Sequence, residues 1–168
     1  MTKPNLKVIS NKSSQLAEEI IMGRTPREIT DRTLKPILST LGMEITRFNT
    51  GSIREIKFRI TNEEFLNGCL KRFNDLFVRP DVDVFKREYH SFTLLFIPSR
   101  DTARVQATYE ELLLYPEDCV KYAMKQAQKT SKYNPTFTEL YAHFVDVYED
   151  RCKIRNAIKD KLLEETNG

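Results

Sequence analysis

The prolines of the C-terminal part of the chain constrain its fold most strongly. Apolar residues recur at helical spacing over residues 102–114, and Pro116 then stands where a second such segment begins. Pro135 introduces a third segment that runs toward the C-terminus. Proline is accepted in the first turn of a helix but not in its interior. The spacing therefore predicts a helical hairpin over residues 102–134, followed by one long helix.

The predicted last helix has an apolar seam with the three-and-four spacing of a coiled coil. Arg151 and Lys161 fall on this seam and interrupt it. Two arrangements fit the pattern equally well. The helix could project and pair with a second copy of the chain or with a partner helix, or it could fold back on its own core. The seam positions are Phe137, Leu140, Phe144, Val147, Arg151, Ile154, Ile158 and Lys161.

The first hundred residues begin with a polar stretch and continue with helix signals. Residues 1–12 show no periodicity and are expected to form a flexible arm. A short helix with Leu16, Ile20 and Ile21 should end at Gly23. Thr25-Pro26-Arg27-Glu28 then has the cap, proline and glutamate spacing of a helix start. Pro36 lies within that helix and predicts a kink or two short helices.

Two segments of the first hundred residues are typical of β-strands. Apolar and charged residues alternate up to Ile60, and residues 92–97 form an apolar run rich in β-forming side chains. We expect these segments, about 53–60 and 92–97, to pair as a small two-stranded element. Between them, Thr61-Asn-Glu-Glu64 has capping-box spacing and should start an amphipathic helix that ends before Arg79.

These patterns predict a mostly α fold. Only 5 Gly and 7 Pro occur in 168 residues, which argues against an all-β chain because such chains need many more turn residues. We expect a mixed, mainly helical region over residues 13–100 and a C-terminal helical module over residues 101–168 that ends in an extended helix.

The charge distribution suggests one candidate nucleic-acid surface. The net charge is only +3, but residues 1–60 hold an excess of Lys and Arg over Asp and Glu. A basic patch of this kind is compatible with phosphate contacts and equally with a solvated surface that binds nothing. The candidate nucleic-acid-binding residues are Arg24, Arg27, Arg32, Lys35 and Arg47.

Residues for catalysis or metal binding are sparse in this sequence. No phosphate-binding glycine loop, nucleophile elbow or HExxH motif occurs, and the two histidines, His90 and His143, are far apart in the chain. We therefore expect no enzyme, no cofactor and no metal site. Cys69, Cys119 and Cys152 fall on inner helix faces and fit a reducing cytoplasm. No signal peptide or membrane span is predicted, so we expect a cytoplasmic protein that does not enter a membrane.

One segment, residues 109–140, carries a resemblance. It contains Tyr115-Pro116, then Ser131-Lys132-Tyr133-Asn134-Pro135-Thr136, then Glu139-Leu140. This segment resembles a helical segment that recurs in phage and prophage proteins, in which Tyr133 is more usually tryptophan or phenylalanine. It is similar, more loosely, to the helical domain of phage replicative-helicase loaders and helicase inhibitors.

The resemblance implies a non-enzymatic phage or mobile-element protein of DNA replication in a bacterial host, a helicase loader or modulator that acts by protein contact. Its expected partner is the replicative helicase or another replication protein. Two alternatives stay open: a DNA-binding regulator that uses the basic residues, and a structural or host-interaction phage protein. The motif residues should act first as fold determinants, with Tyr133 packed over the hairpin, and second as contacts. The candidate contact residues are Tyr115, Pro116, Lys132, Tyr133, Pro135, Glu139 and Tyr148.

Overall fold

The computed structural model describes residues 15–168, so the predicted flexible arm over residues 1–12 lies outside the described part of the chain. The fold is mostly α, as the sequence predicts. A short 3-10 turn, Asn74–Phe77, extends the third helix. The helices are α1 (residues 15–21), α2 (Pro26–Leu41), α3 (Glu63–Phe73), α4 (Val82–Thr93), α5 (Thr102–Leu112), α6 (Glu117–Thr130), α7 (Phe137–Tyr141) and α8 (Val145–Asn167). No helix within residues 15–168 is long and apolar enough to cross a bilayer.

The chain forms two compact units that interleave along the sequence. The first unit contains the described residues up to Pro26 together with Phe77–Val145. The second unit contains Arg27–Leu76 and Asp146–Gly168. The sequence predicts a division between residues 100 and 101, and this stays a prediction. Residues on both sides of that point belong to the first unit.

Helix α2 supplies the longest apolar face in the first segment of the second unit. It runs without a break through Pro36, so the alternative of two short helices is wrong. Leu34 and Ile37 are buried on either side of the proline, and Leu41 is buried at the helix end. Their burial offsets the roughly 3 kcal/mol that an interior proline costs a helix. Gly42 then ends the helix with a φ of 53°, in the left-handed region that glycine adopts without strain.

The β element is a local hairpin rather than the predicted long-range pair. Strand β1 (Glu44–Arg47) pairs antiparallel with β2 (Ile53–Lys57), and Ile45 lies opposite Ile56. The prediction of a strand near residues 53–60 is confirmed, but its predicted partner over residues 92–97 is wrong. A partner only a few residues away closes a short loop, which costs less entropy than pairing with a distant segment.

Residues 92–97 instead form the end of α4 and the turn after it. Phe92 and Phe96 are buried four residues apart, whereas Leu94 and Leu95 between them are exposed. This is helical spacing, which places residues four apart on one face, and not the alternation of a strand. Only Ile97 makes a β-type contact, an isolated parallel bridge to Tyr133.

The start of α3 is displaced by one residue from its prediction. Asn62, not Thr61, is the N-cap, and its side-chain oxygen accepts a hydrogen bond from the Phe65 N–H at 3.1 Å. Asparagine is among the strongest N-cap residues, which explains why it displaces the threonine. The predicted amphipathic face is present, with Leu66, Cys69 and Phe73 buried.

The predicted hairpin over residues 102–134 is confirmed by α5 and α6. Asp101 caps α5 through a hydrogen bond from the Arg104 N–H at 2.9 Å. Helix α6 begins after Pro116 and buries its predicted inner face. The buried residues of that face are Cys119, Val120, Ala123, Met124 and Ala127.

The predicted long C-terminal helix is confirmed as α8, which has 23 residues, but it starts at Val145 and the short helix α7 precedes it, so the segment after Pro135 is two helices and not one. Residues 142–144 form a turn between α7 and α8. The turn accompanies burial of Phe144, whose ring centre lies 5.5 Å from that of Tyr115 and 5.3 Å from that of Tyr141. Edge-to-face packing of this kind stabilises aromatic clusters beyond the burial of their area. The predicted seam is therefore divided between the two units.

Arg151, which interrupts the predicted seam, is fully buried in the second unit. Its Nε donates to Thr30 Oγ1 and its Nη1 donates to the carbonyl oxygen of Leu76, each at 2.9 Å. Ile154 and Ile158 are buried one and two turns further along α8. This half of the helix packs within its own unit, which matches the folded-back arrangement. Pairing through a second copy of the chain stays a prediction.

Replacing Arg151 tests whether the second unit depends on this side chain. Arg151→Ala should lower the free energy of unfolding by about 3 kcal/mol or more, because it removes the hydrogen bonds to Thr30 Oγ1 and the Leu76 carbonyl and leaves a cavity. Urea denaturation followed by circular dichroism measures the change. Lys153→Ala, an exposed site on the same helix, should stay within about 0.5 kcal/mol. Equal effects of the two substitutions would contradict the structural role.

Tyr89 gives a second test, through pH. It is buried in α4 against the rings of Phe85 and Tyr109, and burial raises the pKa of its hydroxyl to about 12. Above about pH 10 the unfolded chain loses this proton while the folded chain keeps it, so stability falls as pH rises. The loss should be about 1 kcal/mol between roughly pH 10 and 11. Urea unfolding of Tyr89→Phe should show a fall smaller by this amount, and identical falls would refute the assignment.

Candidate functional site

The predicted contact residues Tyr115 and Pro116 serve the fold of the first unit. Tyr115 is half-buried, and its ring lies 5.6 Å from Phe137 and 5.5 Å from Tyr141, measured between ring centres. Pro116 is buried at the N-cap of α6, and the next residue, Glu117, donates its backbone N–H to Val78 O at 2.8 Å. Both residues hold the connection between α5 and α6 in place.

A capping box fixes the start of α7. Thr136 Oγ1 accepts a hydrogen bond from the Glu139 N–H, and the Glu139 carboxylate accepts one from the Thr136 N–H. Pro135 is buried just before the cap, whereas Lys132 and Glu139 are exposed. Tyr148 is half-buried and belongs to the second unit, so it is not in the same compact unit as the other candidates.

Tyr133 differs from these fold determinants because it is 64% exposed. The prediction that it packs over the hairpin is wrong. Its segment is extended beside residue 97, with the Ile97 N–H donating to Lys132 O at 3.3 Å, and this pairing turns the tyrosine ring toward solvent. The ring stands at a cleft of about 310 Å³, which we call the Tyr133 cleft. The cleft is lined by Ile97, Pro98, Ser99, Arg104, Tyr133, Asn134, Thr136 and Glu139.

Asn134 gives the Tyr133 cleft an unsatisfied polar group. Its side chain is buried, with 7% of the residue exposed, and its Oδ1 accepts no hydrogen bond from any residue between 15 and 168. Arg104 Nη2 lies on the same cleft and donates to Asn134 O at 3.4 Å and to Ser99 Oγ at 3.3 Å. A buried acceptor without a donor costs about 1–3 kcal/mol, so unexplained examples in native proteins are uncommon.

The predicted nucleic-acid residues are mostly engaged with carboxylates. In the first unit, Arg24 pairs with Glu19 at 2.7 Å. In the second unit, Arg27 and Arg47 both donate to Oδ2 of the buried Asp150, at 2.6 and 2.9 Å. These two guanidinium groups therefore satisfy a carboxylate that is out of water.

The other two predicted basic residues, Arg32 and Lys35, are exposed on α2. Sequence reasoning missed Asp150, although an Asp-Arg pair next to an apolar seam indicates buried charge that must find partners. The grouping of all five basic residues as a nucleic-acid surface stays a prediction, since Arg24 belongs to the first unit and the other four to the second.

A second concave surface of the first unit is larger and more apolar. It lies between α1, α4 and α6 and has a volume of about 760 Å³; we call it the apolar groove. Its residues come from three separate segments, so no single stretch of sequence could indicate it. The groove is lined by Ala17, Ile20, Ile21, Arg87, Glu88, Ser91, Phe92, Leu95, Lys121, Met124, Lys125 and Gln128.

Two observations concern metal-ligand side chains and the Cys69 thiol. Over residues 15–168, no three side chains of metal-ligand type are grouped. Burial raises the pKa of the Cys69 thiol, which disfavours the reactive thiolate. The candidate functional surfaces are the Tyr133 cleft and the apolar groove. No family model, no curated protein and no solved structure matches the chain.

A matched set of substitutions separates structural from phosphate-binding arginines. Arg27→Gln and Arg47→Gln should each lower the free energy of unfolding by about 1–2 kcal/mol, because Asp150 loses one of its two charged donors. Lys35→Gln, an exposed site on α2, should change it by less than about 0.5 kcal/mol. Urea denaturation measures all three. Neutral effects at Arg27 and Arg47 would return both residues to the nucleic-acid hypothesis.

Proposed function

We propose that this chain is a non-enzymatic accessory protein of phage or mobile-element DNA replication, which acts by binding another protein at the Tyr133 cleft. The proposed partner is the replicative helicase of a bacterial host. The chain would load or modulate that enzyme. The class of partner comes from the resemblance of residues 109–140, and the place of contact comes from the geometry of the cleft.

The observation that carries the proposal is the exposed Tyr133 beside the buried, unsatisfied Oδ1 of Asn134. Tyrosine is enriched among residues that dominate binding energy, because its large ring loses little conformational entropy and its hydroxyl bonds at the wet edge of an interface. The neighbouring motif residues fix the backbone on both sides of it, through the buried Pro135 and the capping box at Thr136. The cleft is thus preorganised, which lowers the entropic cost of binding.

The chemistry of the cleft defines what a partner must present there. Asn134 Oδ1 requires an N–H or O–H donor, and Tyr133 with the exposed Ile97 provides an apolar wall. A peptide segment supplies both, with a backbone N–H for the amide oxygen and a side chain for the wall. Arg104 and Glu139 add one charge of each sign at the rim, which favours a partner with mixed charge over a polyanion.

The DNA-binding alternative rests on weaker observations. Arg27 and Arg47 are ion-paired with Asp150, and Arg24 is ion-paired with Glu19. Contact with phosphate would require these ion pairs to break. The free energy gained from phosphate binding would then have to exceed the cost of leaving Asp150 or Glu19 without its arginine partner.

Binding to the purified hexameric helicase of the host, measured by calorimetry, tests the proposal. Tyr133→Ala should weaken binding at least about tenfold, since losing a central aromatic contact costs roughly 1.4 kcal/mol or more. Asn134→Ala should weaken binding without lowering the free energy of unfolding, because it removes a buried acceptor that has no donor in the free chain.

The control is Phe48→Ala, which removes an aromatic side chain of similar exposure, 54%, from the second unit. This variant should bind as the unaltered chain does. Helicase binding that Tyr133→Ala leaves unchanged would refute the Tyr133 cleft as the contact. Tight duplex DNA binding with a steep salt dependence, and none to the helicase, would instead establish the DNA-binding alternative.

A further inference from the structure

We propose that the apolar groove of the first unit binds an acidic amphipathic helix of a partner protein. This surface is separate from the Tyr133 cleft, and no residue lines both. The inference therefore does not depend on the proposed function, and each can fail alone.

The apolar groove has a buried floor and an exposed apolar mouth. Ile20, Phe92 and Met124 are buried at its base. At the mouth, Ile21 is 79% exposed and Leu95 is 63% exposed. Large aliphatic side chains held in water around a concavity are typical of a binding groove, because covering them is favourable in proportion to their area.

The walls of the groove favour a helix as the occupant. Three helices, α1, α4 and α6, form it. A groove between packed helices accepts the ridge of side chains that another helix presents at positions i, i+3, i+4 and i+7. The floor offers no run of unpaired backbone groups of the kind a β-strand would need, since its residues on α4 and α6 lie within helices.

Charge decides the composition of that helix. The groove contains Arg87, Lys121 and Lys125 against a single acid, Glu88. Lys121 is ion-paired with Glu88, and Lys125 Nζ donates to the carbonyl oxygen of Ile20 at 3.2 Å. Arg87 is exposed and has no hydrogen bond or ion pair with a side chain of residues 15–168. The surplus of positive charge at an apolar surface is complementary to carboxylates along an apolar stripe.

Lys121 adds a desolvated cation to this surface. Burial lowers the pKa of its ammonium group to about 8, because the charged form is disfavoured away from water. The charged groups that line the groove with it are Glu88 and Arg87 from α4 and Lys125 from α6. A carboxylate arriving from a partner would stabilise the ammonium form, so neutral pH favours binding and a pH well above 8 weakens it.

The same charges argue against the chain itself as the occupant. Residues 1–14 precede α1 and carry Lys3, Lys7 and Lys12 without an acidic residue. Placing them in a groove with a surplus of cations would be repulsive. A second copy docking through the same groove would likewise bring three more cations to face the first three.

The test uses two synthetic peptides of about 15 residues, a length at which helix formation depends on packing. Both carry leucine at helical spacing; one has glutamate and the other lysine on the remaining positions. Fluorescence anisotropy should show that the full chain binds the acidic peptide at least about tenfold more tightly than the basic one. The affinity should decrease with added salt and between about pH 7 and 9.

Variants place the contact in the groove. Leu95→Asp should weaken binding of the acidic peptide at least about tenfold, because it sets a carboxylate at the apolar mouth. Arg87→Glu should weaken binding about threefold or more and reduce the salt dependence. The matched control is Leu163→Asp, which alters an exposed leucine of the second unit and should bind normally. Tyr133→Ala should also bind the peptide normally, which separates this surface from the Tyr133 cleft.

Five outcomes would overturn the proposal. The first two are equal binding of both peptides and acidic-peptide binding that Leu95→Asp leaves unchanged. The third is a tenfold or greater gain in affinity on deleting residues 1–14, which would show that those residues occupy the groove. The fourth is concentration-dependent dimerisation that Leu95→Asp abolishes, which would assign the groove to a second copy. Failure of the acidic peptide to bind at about 1 mM also refutes it.

Discussion

The second unit depends on two adjacent buried charges, Asp150 and Arg151, on α8. Asp150 accepts hydrogen bonds from Arg27 on α2 and Arg47 on β1, while Arg151 donates to Thr30 on α2 and to the carbonyl that follows α3 at Leu76. One helix turn therefore holds α2, β1 and the 3-10 turn after α3. Buried charges are tolerated only when they are paired and hydrogen-bonded, so the four contacts are mutually dependent.

The sequence predicts the helix starts well because capping and proline chemistry act locally. Pro116 is the N-cap of α6 and Pro135 directly precedes the N-cap of α7, so both prolines mark helix starts as predicted. Thr136 and Glu139 form the capping box that their spacing indicates. Where tertiary packing decides, the prediction fails. The apolar run over residues 92–97 fits strand or helix equally well until burial of Phe92 and Phe96 selects the helical spacing. Likewise, Arg151 interrupts the predicted apolar seam, and its hydrogen-bond partners Thr30 and Leu76 lie in two segments that are remote along the chain.

The two candidate binding surfaces also could not be predicted from the sequence, because tertiary packing forms them. Tyr133 is one residue in a motif whose other members fix local structure, and only the backbone pairing beside Ile97 shows that its ring is exposed. The apolar groove is assembled from three segments, each of which has an ordinary amphipathic pattern. An unpaired acceptor such as Asn134 Oδ1 is invisible to sequence reasoning, because asparagine before proline is unremarkable in a loop.

The interleaved order of the two units has a consequence for how the chain is made. A ribosome delivers residues in sequence, so all of the first unit, up to Val145, has been synthesised before Asp150 and Arg151 emerge. Until then Arg27, Thr30 and Arg47 have no partner on α8. The second unit is therefore still incomplete during synthesis when the first unit already has all of its residues. Chain termination or proteolysis before α8 would remove only one helix from the second unit, yet it would deprive that unit of the charges on which its other elements converge.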